Sequence, residues 1–120
     1  GKPLTVYGTG KQTRSFCYVG DLVRGILALA SLKGELGPVN LGNPQEITVL
    51  ELAEIVGELT GVEVNLEYSD LPTDDPTQRK PDISRARELL GWEPQVNLRD
   101  GLLKTIEWYA ASSALTTDAV

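Results

Sequence analysis

Asp75-Pro76-Thr77-Gln78-Arg79-Lys80-Pro81-Asp82-Ile83-Ser84, followed by Gly91-Trp92-Glu93-Pro94, is the stretch that decides how this chain reads. Prolines on either side of the basic pair Arg79-Lys80 fix φ and turn the residues before them away from the helical region. An extended loop of reproducible shape results, opening into a helix that Asp82 can cap. Ile83, Ala86, Leu89 and Leu90 give that helix its apolar stripe, and Gly91 stops it. A stiff loop presenting paired cations suits an anion. The same loop would also serve as a plain connection whose charges face water.

Strands and helices alternate around it. Leu4-Thr5-Val6-Tyr7 reads as a short strand stopped by Gly8-Thr9-Gly10, and residues 15–19 as a second one, rich in aromatic and β-branched side chains. From Asp21, Leu22, Ile26, Leu29 and Ala30 follow helical spacing as far as Lys33-Gly34. Residues 39–41 read as a brief strand. Thr48 with Glu51 three residues later is a capping-box pattern, followed by the stripe Val49, Leu52, Ile55, Val56, Leu59 and the stop Gly61. Residues 64–68 alternate as a half-buried strand does. Asn97 can cap a last helix bearing Leu98, Leu102, Ile106 and Tyr109, and residues 112–120 read as a flexible tail. The expected fold class is α/β, a mixed α+β lobe over residues 1–111.

Composition narrows the function. The chain has 120 residues, enough for one domain with a moderate core. A net charge of −6 argues against nucleic acid or an anionic membrane as the main partner. No apolar run approaches the roughly 20 residues of a membrane span, and the N-terminus lacks a signal-peptide layout. Cys17 stands alone, so there is no intrachain disulfide, which suits a reducing compartment. The absence of histidine excludes Ser-His and Cys-His nucleophile systems and His-based metal sites. With no methionine and a start at Gly1-Lys2-Pro3, the chain reads as a piece of a longer protein.

Gly8-Thr9-Gly10-Lys11-Gln12-Thr13 invites comparison with phosphate-binding loops and fails on two counts. Thr13 stands where the dinucleotide fingerprint has its third glycine, and a strand is expected where a helix should follow. A glycine turn between strands is the better reading. Arg14, just beyond it, could reach a phosphate, although a single arginine is more often solvated. Asp74-Asp75 lack a third ligand at useful spacing and make a poor metal site. Tyr7, Phe16, Tyr18 and Tyr68 could stack on a base, though strand aromatics are usually core. Residue chemistry thus reaches an α/β piece with a candidate anion site at Arg14 and Arg79.

Residues 3–19, Val39-Asn40-Leu41-Gly42-Asn43-Pro44, the Arg79-Lys80-Pro81-Asp82-Ile83 loop and Gly91-Trp92-Glu93-Pro94 closely resemble the C-terminal part of the UDP-glucuronate decarboxylase (UDP-xylose synthase) family. That family lies within the extended short-chain dehydrogenases, the NAD-dependent epimerase/dehydratase superfamily. The resemblance implies an upstream Rossmann domain that binds NAD and carries a Tyr-x-x-x-Lys pair. No tyrosine here has lysine four residues later. The chain would be the nucleotide-sugar-binding lobe with the Rossmann domain missing. The helix from Asp21 and residues 39–41 would pack back on that domain. The full-length enzyme would be a homodimer in the cytoplasm, or in the Golgi lumen if anchored.

Position by position, the resemblance gives Tyr7 the uracil, with the Leu4 and Thr5 backbone nearby, and Arg14 the diphosphate or sugar acid. Arg79 resembles the arginine beside the reacting sugar. Its guanidinium, with a pKa above about 12, suits electrostatics rather than proton donation. Thr9 and Gly20 depart from the family's frequent Asp. The implied reaction takes a hydride from C4 to NAD⁺ and loses CO2 β to the new ketone. Protonation and hydride return then yield UDP-xylose. Alternatives are another nucleotide-sugar epimerase, a 4,6-dehydratase, or a non-enzymatic binding module.

Overall fold

The computed structural model describes residues 2–34, 37–71 and 80–118, with side chains as far as 112. The strand β1 (Leu4–Tyr7) leads through a glycine turn to β2 (Thr13–Arg14), and α1 (Val19–Ser31) follows. Next come β3 (Ile47–Thr48), α2 (Val49–Thr60) and β4 (Leu66–Ser69). Two helices, α3 (Ser84–Leu90) and α4 (Leu98–Asp118), complete the order. The expected α/β class is what the structure has. β1 pairs in parallel with β4, from Leu4↔Leu66 to Tyr7↔Ser69, and β2 pairs antiparallel with β3.

Local signals set the helix ends. The Thr48 hydroxyl accepts from the Glu51 N–H at 3.1 Å, and Gly61 ends α2 at φ 69°. Asn97 Oδ1 accepts from the Asp100 N–H at 2.8 Å. The Asp82 carboxylate takes the Ser84 N–H at 2.9 Å, and α3 closes with the Trp92 N–H on the Ala86 C=O, the Schellman pattern around Gly91.

Residues 15–19 are not a strand. The ladder on this side stops at Arg14, because β3 offers only Ile47 and Thr48 as partners. The chain then runs irregularly to Tyr18 and enters α1 at Val19, two residues before the expected start. Residues 39–41 also lack a ladder; Val39 and Leu41 instead pack against the Ile83–Ala86–Trp92 core. The expected strand over 64–68 lies at 66–69. Regular helix continues to Asp118, beyond the point where a tail was expected to begin.

The core lies between α1 and α3. Ile83, Ala86 and Trp92 are buried at its centre. The Trp92 indole Nε1 donates to the Asp21 C=O at 3.0 Å across 71 residues of sequence. Trp92→Phe keeps an aromatic ring but removes that buried hydrogen bond, and should cost about 1–2 kcal/mol in denaturant unfolding of the intact protein. On α1, the buried positions are Asp21 and Gly25, whereas Val19, Val23, Ile26 and Leu27 are 48–64% exposed and form one outward stripe. Ile26, read from the sequence as part of the helical spacing with Leu22 and Leu29, belongs to that stripe.

Candidate functional site

Gly8 and Gly10 adopt φ of 67° and 75°, which turns the chain from β1 into β2. Gly10 is buried under Leu50, and an added Cβ would meet the Leu50 Cγ at 2.6 Å. The Leu50 N–H donates to the Gly10 C=O, the Val49 N–H to the Gln12 C=O, and Gln12 Nε2 to the Tyr7 C=O at 2.7 Å. The turn is therefore a clamp between β1 and the start of α2. Since it leads into a strand, it presents no helix N-terminus to a dinucleotide, and the residues present do not fit NAD.

This clamp fixes Arg14. The residue is half-buried on β2, and its Nη1 donates to the Thr13 C=O at 2.7 Å. On β1, Val6 is buried, whereas Leu4, Thr5 and Tyr7 are exposed, Tyr7 by 49%. Arg79 and Asp74-Asp75 lie outside the described residues. Their neighbour Lys80 is described and exposed.

A cleft of about 440 Å³ lies next to these segments. Ser15 and Cys17 line it on one side, Asn40 and Asn43 contribute from the middle loop, and Lys80 and Pro81 line it as well. The residue after Arg14 and the residue after Arg79 thus border one cavity. Arg14 itself is not among the lining residues. Burial pushes the Cys17 thiol up, the Asp21 charge adds to that, and Arg24 opposes it. The thiol stays protonated at neutral pH and is no nucleophile. Among the described residues, no group of three His, Cys, Asp or Glu side chains could hold a metal.

The other aromatics divide. Tyr18 rests on Gly101 of α4 with Lys104 5.4 Å over its ring, so it is packed rather than offered to a base. Tyr68 is 55% exposed beside β1.

Sequence reasoning gave Asp21 the small role of capping a helix corner. The structure puts it third in α1, 3% exposed, with its carboxylate bonded outside the helix. Oδ2 accepts from the Gln95 and Val96 N–H groups at 3.1 and 3.0 Å, and Oδ1 from Arg24 Nη2 at 3.2 Å. Arg24 Nη2 also donates to the Glu93 C=O at 2.6 Å, and the guanidinium carbon Cζ lies 5.6 Å from the centre of the Trp92 ring. Burial alone would raise the Asp21 pKa. The two amides and Arg24 outweigh it and hold the carboxyl below its ordinary 3.8. Asn40 was also missed; it was seen only as part of a matching segment.

Known proteins agree with this architecture. Residues 1–42 match the model of the NAD dependent epimerase/dehydratase family. The fold is similar to that of UDP-glucuronic acid 4-epimerase from Bacillus cereus, solved with UDP-glucuronic acid and NAD. The TM-score is 0.78 at 33% identity, over 84% of this chain and 33% of that one. It is also similar to the epimerase Mth375 of Methanothermobacter thermautotrophicus, with TM-score 0.89 and 35% identity over 98% of this chain and 35% of that one. The chain belongs to the NAD dependent epimerase/dehydratase family. Within it, the sequence is 58% identical to UDP-glucuronic acid decarboxylase 2 of Arabidopsis thaliana over 102 residues, 84% of this chain and 22% of that protein. The chain therefore spans about a fifth to a third of the length of these relatives.

Proposed function

We propose that this chain is the nucleotide-sugar-binding lobe of an NAD-dependent decarboxylase that converts UDP-glucuronate to UDP-xylose and CO2. The observation that carries this reading is the shared cleft, with Ser15 beyond Arg14 and Lys80 beyond Arg79 among its walls. A cleft that joins two chain-distant segments and carries the Lys80 ammonium beside the Asn40 and Asn43 amides suits an anionic, polar ligand such as a UDP-uronate. The identity to a UDP-glucuronic acid decarboxylase adds the substrate class.

In this reading Tyr7, exposed on β1, lies against the uracil, with Leu4 and Thr5 offering backbone beside it. Arg14 takes the diphosphate or the uronate. Arg79 holds the reacting sugar and stabilises the negative charge that develops as CO2 leaves, a contribution that accelerates only if it is larger in the transition state. NAD is held by a part of the protein outside this chain and supplies the redox chemistry. The outward stripe Val19, Val23, Ile26 and Leu27 would pack against that part.

The test is product analysis with the full-length protein. Incubation with UDP-glucuronate is expected to release one CO2 per UDP-xylose formed, without net consumption of NAD. The likeness to a UDP-glucuronic acid 4-epimerase favours a second reading. Formation of the C4 epimer with no CO2 would establish that reading and end the first. UDP binding without any turnover would instead point to a binding module.

A further inference from the structure

Residues 38–42 cross the entry of α3 without belonging to a ladder, so side-chain and backbone contacts alone set their position. Asn40 Nδ2 donates to the Asp82 C=O at 3.3 Å, and Arg85 Nη1 donates to the Pro38 C=O at 3.1 Å. Gly42 is buried and passes so close to Pro81 that a Cβ on it would stand 2.9 Å from the Pro81 Cγ. Pro81 has its φ fixed by its ring, and the Asp82 carboxylate is tied to the Ser84 N–H at 2.9 Å. With those torsions set, the Asn40 bond removes much of the remaining freedom of the Pro81-Asp82 corner. The same segment lines the cleft together with Ser15, Lys80 and Pro81.

We propose that Asn40 is a positioning residue, which holds the Lys80-Pro81 wall of the cleft at a fixed distance from the Ser15 wall. The inference rests on the reading of this cleft as the nucleotide-sugar site. A ligand gripped from both walls loses affinity when one wall drifts, because ordering the wall must then be drawn from binding energy. The amide is needed as a donor. A carboxylate of the same shape would turn an oxygen towards the Asp82 carbonyl and push the corner away.

The experiment uses the full-length protein and the variants Asn40→Ala, Asn40→Asp and Gly42→Ala. Titration with UDP and kinetics with UDP-glucuronate are expected to show Kd and KM raised about tenfold, with kcat within about threefold. Melting temperature should fall by no more than a few degrees. Combining Asn40→Ala with Lys80→Ala should raise Kd by less than the product of the single effects, because both act on one wall. Trypsin cleavage after Arg79 without ligand should be about tenfold faster in Asn40→Ala, a readout of the corner that needs no activity. A lowered melting temperature with unchanged Kd, KM and cleavage rate would overturn the proposal and leave Asn40 a purely structural residue. A wild-type protein that does not bind UDP defeats the functional reading instead, while equal cleavage rates still defeat the brace.

Discussion

Asp21→Ala is expected to lower the unfolding free energy of the intact protein by about 3 kcal/mol, the range seen when one member of a buried charged network is removed. The mutation leaves the Gln95 and Val96 N–H groups without their acceptor and frees Arg24 from its carboxylate. Nothing nearby replaces a carboxylate that reaches from the first turn of α1 to the segment before α4. Asp21→Asn should cost less than alanine, since its one carbonyl oxygen still accepts, while its NH2 faces donors. Urea unfolding measures both.

The pH dependence carries a second signature. Because the Asp21 carboxyl titrates below 3.8 when folded, the folded state binds fewer protons than the unfolded one over that interval. The stabilisation is complete above the unfolded value and is lost as pH falls through the folded one. Wild type should therefore lose stability more steeply than Asp21→Asn below about pH 4. Asp82, held low first by the Ser84 hydroxyl and then by the Ser84 amide, adds a slope of the same sign in both proteins. Parallel curves for wild type and Asp21→Asn would remove Asp21 from the account.

Arg79→Lys, in the full-length enzyme, is expected to lower kcat for CO2 release about a hundredfold while leaving the fold and UDP affinity nearly intact. Lysine keeps the charge but replaces a planar fork of donors by a compact ammonium, which cannot hold two oxygens of one anion in fixed geometry. Loss of an interaction made chiefly in the transition state lowers kcat and kcat/KM together. Rates near wild type would take Arg79 out of the chemistry, and a raised KM with normal kcat would reduce it to a binding group.

What could be read from the sequence was what is decided within a few residues. Thr48 with Glu51, Asn97 with Asp100 and the glycines at 61 and 91 each act on their own turn of backbone and stand where expected; Asp82 takes the Ser84 N–H from one residue before the cap, which is Ile83. Residues 15–19 were misjudged because strand content says nothing of a partner. Among the described residues, β2 pairs with 47 and 48 alone, and their reach ends at Arg14. Val39 and Leu41 gave a strand-like signal for a different reason: they are extended side-chain plugs for the α3 core. Of the candidate site, Tyr7 and Arg14 were singled out by residue chemistry and given particular roles by the resemblance, and Arg79 falls outside the described residues. Asp21 reaches partners 74 and 75 positions away, and Asn40 one 42 positions away. No periodicity or cap pattern reports bonds of that span.

Among the described residues, the strand that bears Tyr7 pairs with residues 66–69. During synthesis, β1 emerges before β4 and cannot form this ladder until Ser69 has followed it out. The β1 edge with Tyr7 thus waits on a partner made later, across a long sequence separation. A pause in translation between Gly10 and Leu66 would prolong the time for which Leu4–Tyr7 lacks its β4 partner.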